Sequence, residues 1–373
     1  MKDEKKIWKK QLISWLTIII IVVVFLLTAH FAVVWVQLDD NIQRYIASIF
    51  VFASFIVIGI ILGAIVHELG HLVLGLLTGY SFSRLNILNF NWYKEDGRIR
   101  FYTAACPIGQ CLMCPPENEK HFKFILYNLG GNIAVLFFCI VLLVLIIILD
   151  SSVLALCLFA VLFVNIIMLF INLLPIKSWT SPTDVANILE ILKSREAVQA
   201  FYKMLYINHQ VVEGRRYKDF PLEEMQVAES ADLCNYHVAT LVLMEAEYWD
   251  DVGDHAKAFA TWRRLDDIEL PNSLRYILNT NLLFYYCCEA RDIEKAKEIY
   301  AQDGVEKMLN IEMPQFMMIK AAYEFYVLNN KKKGDEILVK ALTHACNIPI
   351  KGEKLMILGH LERLKTRMND AKV

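Results

Sequence analysis

Uninterrupted apolar runs of bilayer length lie in the first half of the chain and constrain its fold more than any other feature. Residues 1–178 contain these runs, whereas residues 180–373 mix apolar and polar side chains as ordinary amphipathic protein does. Hydrophobic residues make up 56% of the 373-residue chain, above the roughly 45–50% of a typical soluble domain. Because a helix needs about 20 apolar residues to cross a bilayer, the first half is predicted to be a membrane domain.

Four of the runs have the length and composition of membrane-spanning helices. They cover about residues 11–36, 45–78, 122–149 and 153–176. The first run is too long for the apolar part of a signal peptide and lacks a small-residue cleavage site, so it is predicted to be a retained span. The sequence thus predicts a mainly α, polytopic protein of the cell membrane.

Basic residues are unevenly distributed among the segments that connect these runs. Five lysines precede the first run, whereas the turn around Asp39 is acidic and the turn at Asp150 has no positive charge. The segment between the second and third runs contains Arg84, Lys94, Arg98, Arg100 and Lys120. Because cytosolic loops are enriched in lysine and arginine, this segment and both termini are predicted to be cytosolic.

A small β-hairpin is predicted directly after the second run. Residues 81–104, SFSRLNILNFNWYKEDGRIRFYTA, contain two β-prone stretches on either side of Asp96-Gly97, a dipeptide typical of a hairpin turn. The next stretch, CPIGQCLMCPP, is interrupted by proline and glycine. It is therefore expected to be irregular or short-stranded.

The last half of the chain has the pattern of paired amphipathic helices. Ala258, Ala296 and Gly334 recur about every 38 residues, a period typical of helical solenoids, and small residues let paired helices approach closely. This pattern predicts a soluble, all-α array of helical hairpins, similar to tetratricopeptide repeats, with a concave surface suited to a protein partner. An unrelated helical bundle with a chance alignment is the alternative.

The chain is thus divided into three predicted segments. Residues 1–44 form a cytosolic tail and the first span, residues 45–190 form a membrane core, and residues 191–373 form the cytosolic helical domain. The net charge is −2, and no basic face is present to neutralise phosphates, which excludes a nucleic-acid partner. The predicted partners are the lipid bilayer and a protein that binds the helical domain.

The second apolar run contains the sequence His-Glu-Leu-Gly-His at residues 67–71. Histidines four residues apart lie on one face of a helix, one turn apart, as two imidazole ligands of zinc must. Glu68 would lie beside the metal, where it can take a proton from zinc-bound water and pass it to the leaving amine. A chance motif on a solvated face is the alternative, but this helix is apolar, and an ionisable residue there is costly unless it has a function.

Three elements in this order resemble the site-2 protease family of intramembrane zinc peptidases. The first is HELGH within a span, and the second is PIGQCLM at Pro107–Met113, similar to the family's Pro-x-Gly-Gly-x-x-x-Met loop. The third is Asn172-Leu-Leu-Pro followed by Asp184, similar to the family's Asn-Leu-Leu-Pro…Asp-Gly element. The resemblance covers about residues 45–190, which would then be a membrane zinc-peptidase core.

The resemblance implies that Zn²⁺ is the cofactor and that Asp184 is its third protein ligand. It implies hydrolysis of peptide bonds in or near transmembrane segments of membrane proteins or peptide precursors. It also implies three substrate-binding residues, namely Pro107, Gly109 and Asn172. The chain departs from the family pattern at Gln110 and Val185, which replace glycines, and by about four extra residues before the aspartate.

Several alternatives stay open on the sequence alone. Asp184 could belong to a helix N-cap, since Ser181-Pro182-Thr183-Asp184 precedes an amphipathic stretch, and Asn172 could cap the fourth span. Glu190 is the reserve third ligand. It would fit a second class of membrane zinc peptidase, which trims prenylated or misfolded proteins. A membrane-tethered helical scaffold with a vestigial peptidase site is the non-enzymatic alternative.

Overall fold

The computed structural model of the chain describes residues 42–104, 109–118, 121–149, 151–176 and 182–371. The first predicted span, about residues 11–36, lies outside these described residues. Pro107 and Asp150 also lie outside them. The other predicted spans and site residues fall within them.

Three helices of the described chain are long and apolar enough to cross a membrane. They are α1 (Ile42–Leu77), α2 (Phe124–Ile148) and α3 (Ser152–Leu173), with apolar windows at Ser48–Leu77, Phe124–Ile148 and Val153–Leu173. Their outward side chains are large and apolar, as at Phe137 and Ile147, which are 67% and 75% exposed. Contact of such side chains with water is unfavourable, whereas contact with lipid is not. The protein is therefore membrane-associated.

Small residues allow α1 and α3 to pack closely. A Cβ atom added to Gly59 would lie 2.6 Å from Cγ1 of Val164, and one added to Gly63 would lie 2.2 Å from Oδ1 of Asn165. The Asn165 amide donates hydrogen bonds to the carbonyl oxygens of Gly59, at 3.0 Å, and Val161, at 2.8 Å. Glycine contacts and an interhelical amide are typical of helix packing in bilayers.

A four-stranded antiparallel sheet follows α1, which corrects the prediction of a hairpin alone. Its strands are β1 (Ser81–Ile87), β2 (Phe90–Glu95), β3 (Arg98–Thr103) and β4 (Gly109–Cys114), in the order β3-β2-β1-β4. The predicted hairpin between β2 and β3 is confirmed, because Glu95 pairs with Arg98. Asp96 and Gly97, at the turn, have φ angles of 49° and 73°.

The sheet is larger than predicted because a second turn interrupts the first β-prone stretch. Leu88 has a φ of 55°, a conformation that leucine rarely adopts, so Asn89 is the one residue of this turn that favours a turn. The chain reverses there, and β1 pairs with β2 on one side and with β4 on the other.

The rest of the described chain is helical. Its α-helices are α4 (Asp184–Ile191), α5 (Arg195–Val212), α6 (Leu222–Met225), α7 (Tyr236–Val252), α8 (His255–Arg263), α9 (Asn272–Cys288), α10 (Ile293–Tyr300), α11 (Val305–Leu309), α12 (Pro314–Ala322), α13 (Lys331–Cys346) and α14 (Lys351–Asp370). A 3₁₀ turn covers Tyr217–Asp219, and a π-helical turn, Tyr323–Val327, extends α12.

The spacing of 38 residues corresponds to a structural repeat of helix starts. Helices α8, α10 and α13 each follow a residue with positive φ, at Gly253, Arg291 and Asn329. In each case the next residue is the N-cap, and its side chain accepts a hydrogen bond from the backbone N–H of a lysine. These N-caps are Asp254, Asp292 and Asn330. The small residues Ala258, Ala296 and Gly334 are buried, as predicted for positions of close helix approach.

The described residues form two compact units. The first contains residues up to Gly70 together with Gly131–Ile171, and the second contains His71–Gly130 together with the chain from Asn172 onward. In the second unit, Tyr93 of β2 joins a buried cluster with helix α5, and its hydroxyl donates to the carbonyl oxygen of Pro349 at 3.2 Å. The sheet and the carboxyl-terminal helices therefore share one core. The predicted domain boundary at residue 190 stays a prediction.

Candidate metal centre

Helix α1 carries the two histidines and the glutamate of the HELGH sequence. The helix is continuous from Ile42 to Leu77, so His67 and His71 lie one turn apart on the same face. Glu68 and His71 are buried, with exposed fractions of 7% and 8%. Burial of an ionisable pair in an apolar helix is costly without partners, which favours a functional site.

Asp184 is the first residue of α4, and the chain around it is fixed by Thr183. The Thr183 hydroxyl donates to the carbonyl oxygen of Leu174 at 2.6 Å, and its amide donates to the carbonyl oxygen of Ile176 at 3.0 Å. Thr183 is also the N-cap of α4, since its side chain accepts a hydrogen bond from the amide of Ala186. The Asp184 carboxylate is therefore not needed as the cap.

The three predicted metal ligands come together in the structure. The ligand atoms of His67, His71 and Asp184 all lie within 4.8 Å of one another. Nε2 of His71 is 3.6 Å from Oδ1 of Asp184. Two imidazoles and one carboxylate at this separation suit a tetrahedral metal that keeps a fourth position open. No other group of three such ligands occurs within the described ranges.

A backbone carbonyl orients the His71 ring. Nδ1 of His71 lies 2.8 Å from the carbonyl oxygen of Tyr127, so in the neutral ring Nδ1 carries the proton and the lone pair lies on Nε2. Such a partner fixes the orientation of a metal-binding imidazole. The Tyr127 hydroxyl donates to the carbonyl oxygen of Cys111 at 2.6 Å, and its ring stacks on Tyr80. Strand β4 and the start of α2 are thus connected to the site.

A second connection joins α4 to α2. The Asn187 side-chain amide donates to Oδ1 of Asn128 at 2.6 Å, and the Asn128 amide donates to the carbonyl oxygen of Phe124 at 2.8 Å. Asn187 lies one turn after Asp184, so this bond holds the amino-terminal end of α4 beside the first turn of α2. The same turn of α2 carries Tyr127, the partner of His71.

Gly131 is a site residue to which the sequence assigned no role. A Cβ atom added there would lie 2.5 Å from both Cε1 and Nδ1 of the His67 ring. Only glycine leaves room for the imidazole against this part of α2. The paired glycines 130 and 131 within an apolar run were the signal, since glycine in a membrane helix often marks a close contact.

Glu190, the reserve third ligand, has other partners. Nζ of Lys193 lies 2.9 Å and 3.0 Å from its two carboxylate oxygens, and the Asn235 amide donates to its backbone oxygen at 2.8 Å. The group of potential ligands contains Asp184 and not Glu190. This arrangement favours an aspartate as the third ligand.

The positions of the predicted substrate-binding residues give less information than those of the predicted metal ligands. Gly109 opens β4 and pairs with Ile87 of β1, so it belongs to an edge strand of the sheet. Asn172 is the penultimate residue of α3 and is half-buried. Pro107 lies outside the described residues. The role of all three in binding substrate stays a prediction.

No protein-family model matches the chain, and no curated protein or solved structure shows significant similarity to it. The likeness to the site-2 protease family therefore rests on the short motifs alone. The candidate site is interpreted from the chemistry and geometry of its own residues.

Proposed function

We propose that the chain is an intramembrane zinc endopeptidase that cleaves peptide bonds in or near transmembrane segments. The observation that carries this proposal is the convergence of His67, His71 and Asp184, with a buried Glu68 next to the first histidine. These residues place two imidazoles and two carboxylates within or next to apolar helices. Ionisable groups are costly there, and they are usually retained for a function.

The four residues have separate roles in this proposal. His67, His71 and Asp184 hold the metal. Bound zinc lowers the pKa of a coordinated water and polarises the scissile carbonyl. The Glu68 carboxylate accepts a proton from the attacking water and delivers it to the leaving amide nitrogen. The Tyr127 carbonyl keeps Nε2 of His71 available to the metal, because it binds the proton on Nδ1.

The substrates in this proposal are single membrane helices of larger proteins or of peptide precursors. A helix hides its scissile bond, because its backbone amides are already hydrogen-bonded. The substrate must therefore unwind, and an edge strand can hold the unwound segment by β-augmentation. Of the two edge strands, β4 is the better candidate. The backbone carbonyl of Cys111 in β4 accepts a hydrogen bond from the Tyr127 hydroxyl. The Met113 side chain of β4 packs against Gly75, which lies one turn after His71 in α1.

Replacement of Glu68 by glutamine tests the proposal directly. Glu68→Gln removes the base but no ligand, so the purified protein should keep about one zinc per chain and lose cleavage of an unwound transmembrane peptide. Glu294→Gln is a matched control, because the Glu294 side chain is 86% exposed, and it should change neither property. Metal content is measured by mass spectrometry, and cleavage by the appearance of a new peptide terminus.

The three alternatives give different results in the same assay. A Glu68→Gln protein that still cleaves would exclude this mechanism. A native protein that contains no zinc, even after purification with zinc present, would favour the scaffold. Zinc that is lost on Glu190→Gln but kept on Asp184→Asn would favour the class of zinc peptidase with a glutamate ligand.

A further inference from the structure

A cavity of about 340 Å³ lies in the carboxyl-terminal helices, within the second compact unit. Helices α7, α9, α12 and α14 supply most of its lining. Its apolar residues include Ile277, Phe284, Phe316, Ile319, Met356 and Ile357. Ligand pockets of proteins have volumes of roughly 300–1,000 Å³ and mostly apolar walls. The cavity therefore has the size and wall of a site for a small ligand or a short chain segment.

One carboxylate in this lining, Glu247, has no basic group within ion-pair distance among the described residues, although His360 interacts with it electrostatically. Glu247 accepts only a long hydrogen bond of 3.5 Å, from the side-chain amide of Asn281, and the described part of the chain forms no ion pair with it. Burial raises the pKa of Glu247 to about 7. A carboxylate in an apolar wall is costly when it is ionised, so a cation brought by a ligand would gain a pairing that the protein itself does not supply.

The other charged groups of the lining already have partners. Asp250 is hydrogen-bonded to Nδ1 of His255 at 2.7 Å and lies 3.0 Å from Nδ1 of His360. Glu353 lies 3.6 Å from an Arg84 nitrogen. Glu247 is thus the group that a ligand can neutralise. The lining contains one basic residue, His360, so an anionic ligand would meet mainly carboxylates.

Two side-chain amides complete the lining, at Asn281 and Gln315. A side-chain amide donates and accepts hydrogen bonds, which matches the paired N–H and C=O groups of a peptide backbone. Apolar walls, two amides and an unpaired carboxylate together suit a peptide better than a lipid chain, which has no use for the amides, or a nucleotide, whose phosphates the carboxylates repel.

We propose that this cavity binds a short peptide segment in which a basic side chain lies next to apolar ones. Glu247 pairs with the basic group, the amides of Asn281 and Gln315 bind the peptide backbone, and the apolar side chains fill the pocket between α9 and α12. This site is separate from the candidate metal centre. Binding at the cavity does not depend on any proteolytic activity.

Three end-blocked tripeptides test the proposal on the full-length protein in detergent. They are leucyl-lysyl-leucine, leucyl-glutaminyl-leucine and leucyl-glutamyl-leucine, each acetylated and amidated, and titrated by calorimetry. The lysyl peptide should bind at least tenfold more tightly than the glutaminyl peptide, and the glutamyl peptide most weakly. Near neutral pH the lysyl peptide should release protons on binding, because it ionises a carboxyl whose pKa is raised by burial.

Glu247→Gln should abolish both the tenfold preference and the proton release. Glutamine resembles the protonated carboxyl in shape, so this variant should fold, which its unfolding temperature checks. Glu294→Gln, on an exposed surface, should bind like the native protein, and Asn281→Ala should weaken all three peptides. Equal binding of the three peptides, no saturable binding up to millimolar peptide, or a preference that survives Glu247→Gln would each overturn the proposal.

Discussion

The backbone carbonyl oxygen of Tyr127 lies 2.8 Å from Nδ1 of His71, which connects the first turn of α2 to the centre of the candidate metal site. The bond places the ring proton on Nδ1, so the lone pair that could bind a metal lies on Nε2, 3.6 Å from Asp184. Because the acceptor is a backbone atom, no side-chain substitution removes it directly. This hydrogen bond to His71 therefore depends on the position of α2 and not on the identity of residue 127.

A Tyr127→Phe substitution separates these two effects. It removes the hydroxyl that donates to Cys111 at 2.6 Å and leaves the carbonyl in place. We expect the unfolding free energy to fall by about 1 kcal/mol, as for one lost buried hydrogen bond, and the zinc content to stay unchanged. Thermal unfolding and metal analysis of the same sample measure the two quantities. Complete loss of zinc would show that the hydroxyl, and not the carbonyl, positions His71.

A Gly131→Ala substitution tests the contact between α2 and His67. The added methyl group would lie 2.5 Å from the imidazole ring, so the ring or the helix must move. We expect at least a tenfold loss of zinc affinity, because metal ligands tolerate little displacement. Ile133→Ala serves as the control, since Ile133 is an exposed residue of the same helix. An unchanged zinc affinity in Gly131→Ala would contradict the tight packing at this point.

The sequence predicted the helices and the ligands of the site better than it predicted the sheet. The apolar runs and the histidine spacing act within a single helix, so local pattern is sufficient to identify them. The resemblance to short family motifs supplied Asp184, which the structure places 3.6 Å from His71. Asp184 lies 113 positions beyond His71 in the chain, and no local pattern could have predicted that distance.

The sequence failed to predict two of the strands and the role of Gly131 for a different reason. The turn at Leu88 uses a positive φ in a residue that normally avoids it, so Asn89 alone marked the end of β1. Strand β4 was expected to be irregular because of its glycine and nearby prolines, yet it pairs with β1 over Gly109–Cys114. Tertiary pairing outweighed local preference here. Gly131 is needed because of a contact with His67 in another helix, and the paired glycines indicated a close contact without identifying its partner.

The stability of the carboxyl-terminal helices should depend on pH through His360. Burial alone lowers the pKa of His360, but hydrogen bonds to Asp250 and Asp251 outweigh burial and raise it above its usual value. A raised folded-state pKa contributes stability that is complete below about pH 6.5 and is lost as the pH rises through the folded-state pKa. We therefore expect the unfolding temperature to fall above neutral pH.

A His360→Asn variant should have a smaller change of unfolding temperature between pH 6 and pH 9 than the native protein. His121→Asn is the control, because His121 is exposed. Asp250 responds in the opposite sense. Burial raises its pKa, but hydrogen bonds to His255 and His360 lower it below its usual value, so its contribution is present above about pH 4 and is lost in stronger acid. Identical pH profiles for the native protein and His360→Asn would exclude the coupling.

The membrane orientation can be checked by cysteine accessibility. The excess of lysine and arginine between the second and third spans predicts that Arg98 and Lys257 are cytosolic and that Asp39 and Asp150 face outward. Single cysteines at these positions, in a background without reactive native thiols, are labelled from outside intact cells with a membrane-impermeant reagent. We expect labelling at 39 and 150 only. Labelling at 257 in intact cells would reverse the topology and would move the candidate site to the other face of the membrane.

Removal of the carboxyl-terminal helices should damage the candidate metal centre, although a chain ending after Ile191 keeps all three candidate ligands. Tyr93 of the sheet is buried against α5 and bonds to Pro349, and the backbone amide of Asp96 donates to Glu213. The truncated chain would therefore expose the inner face of β2. Because β4 contacts Tyr127 and Gly75 near His71, we expect at least a tenfold loss of zinc affinity, measured in detergent.

Residues 192–373, co-expressed as a separate chain, should restore the zinc affinity by covering the sheet again. Full zinc affinity in the truncated chain would show instead that the membrane core folds independently of these helices.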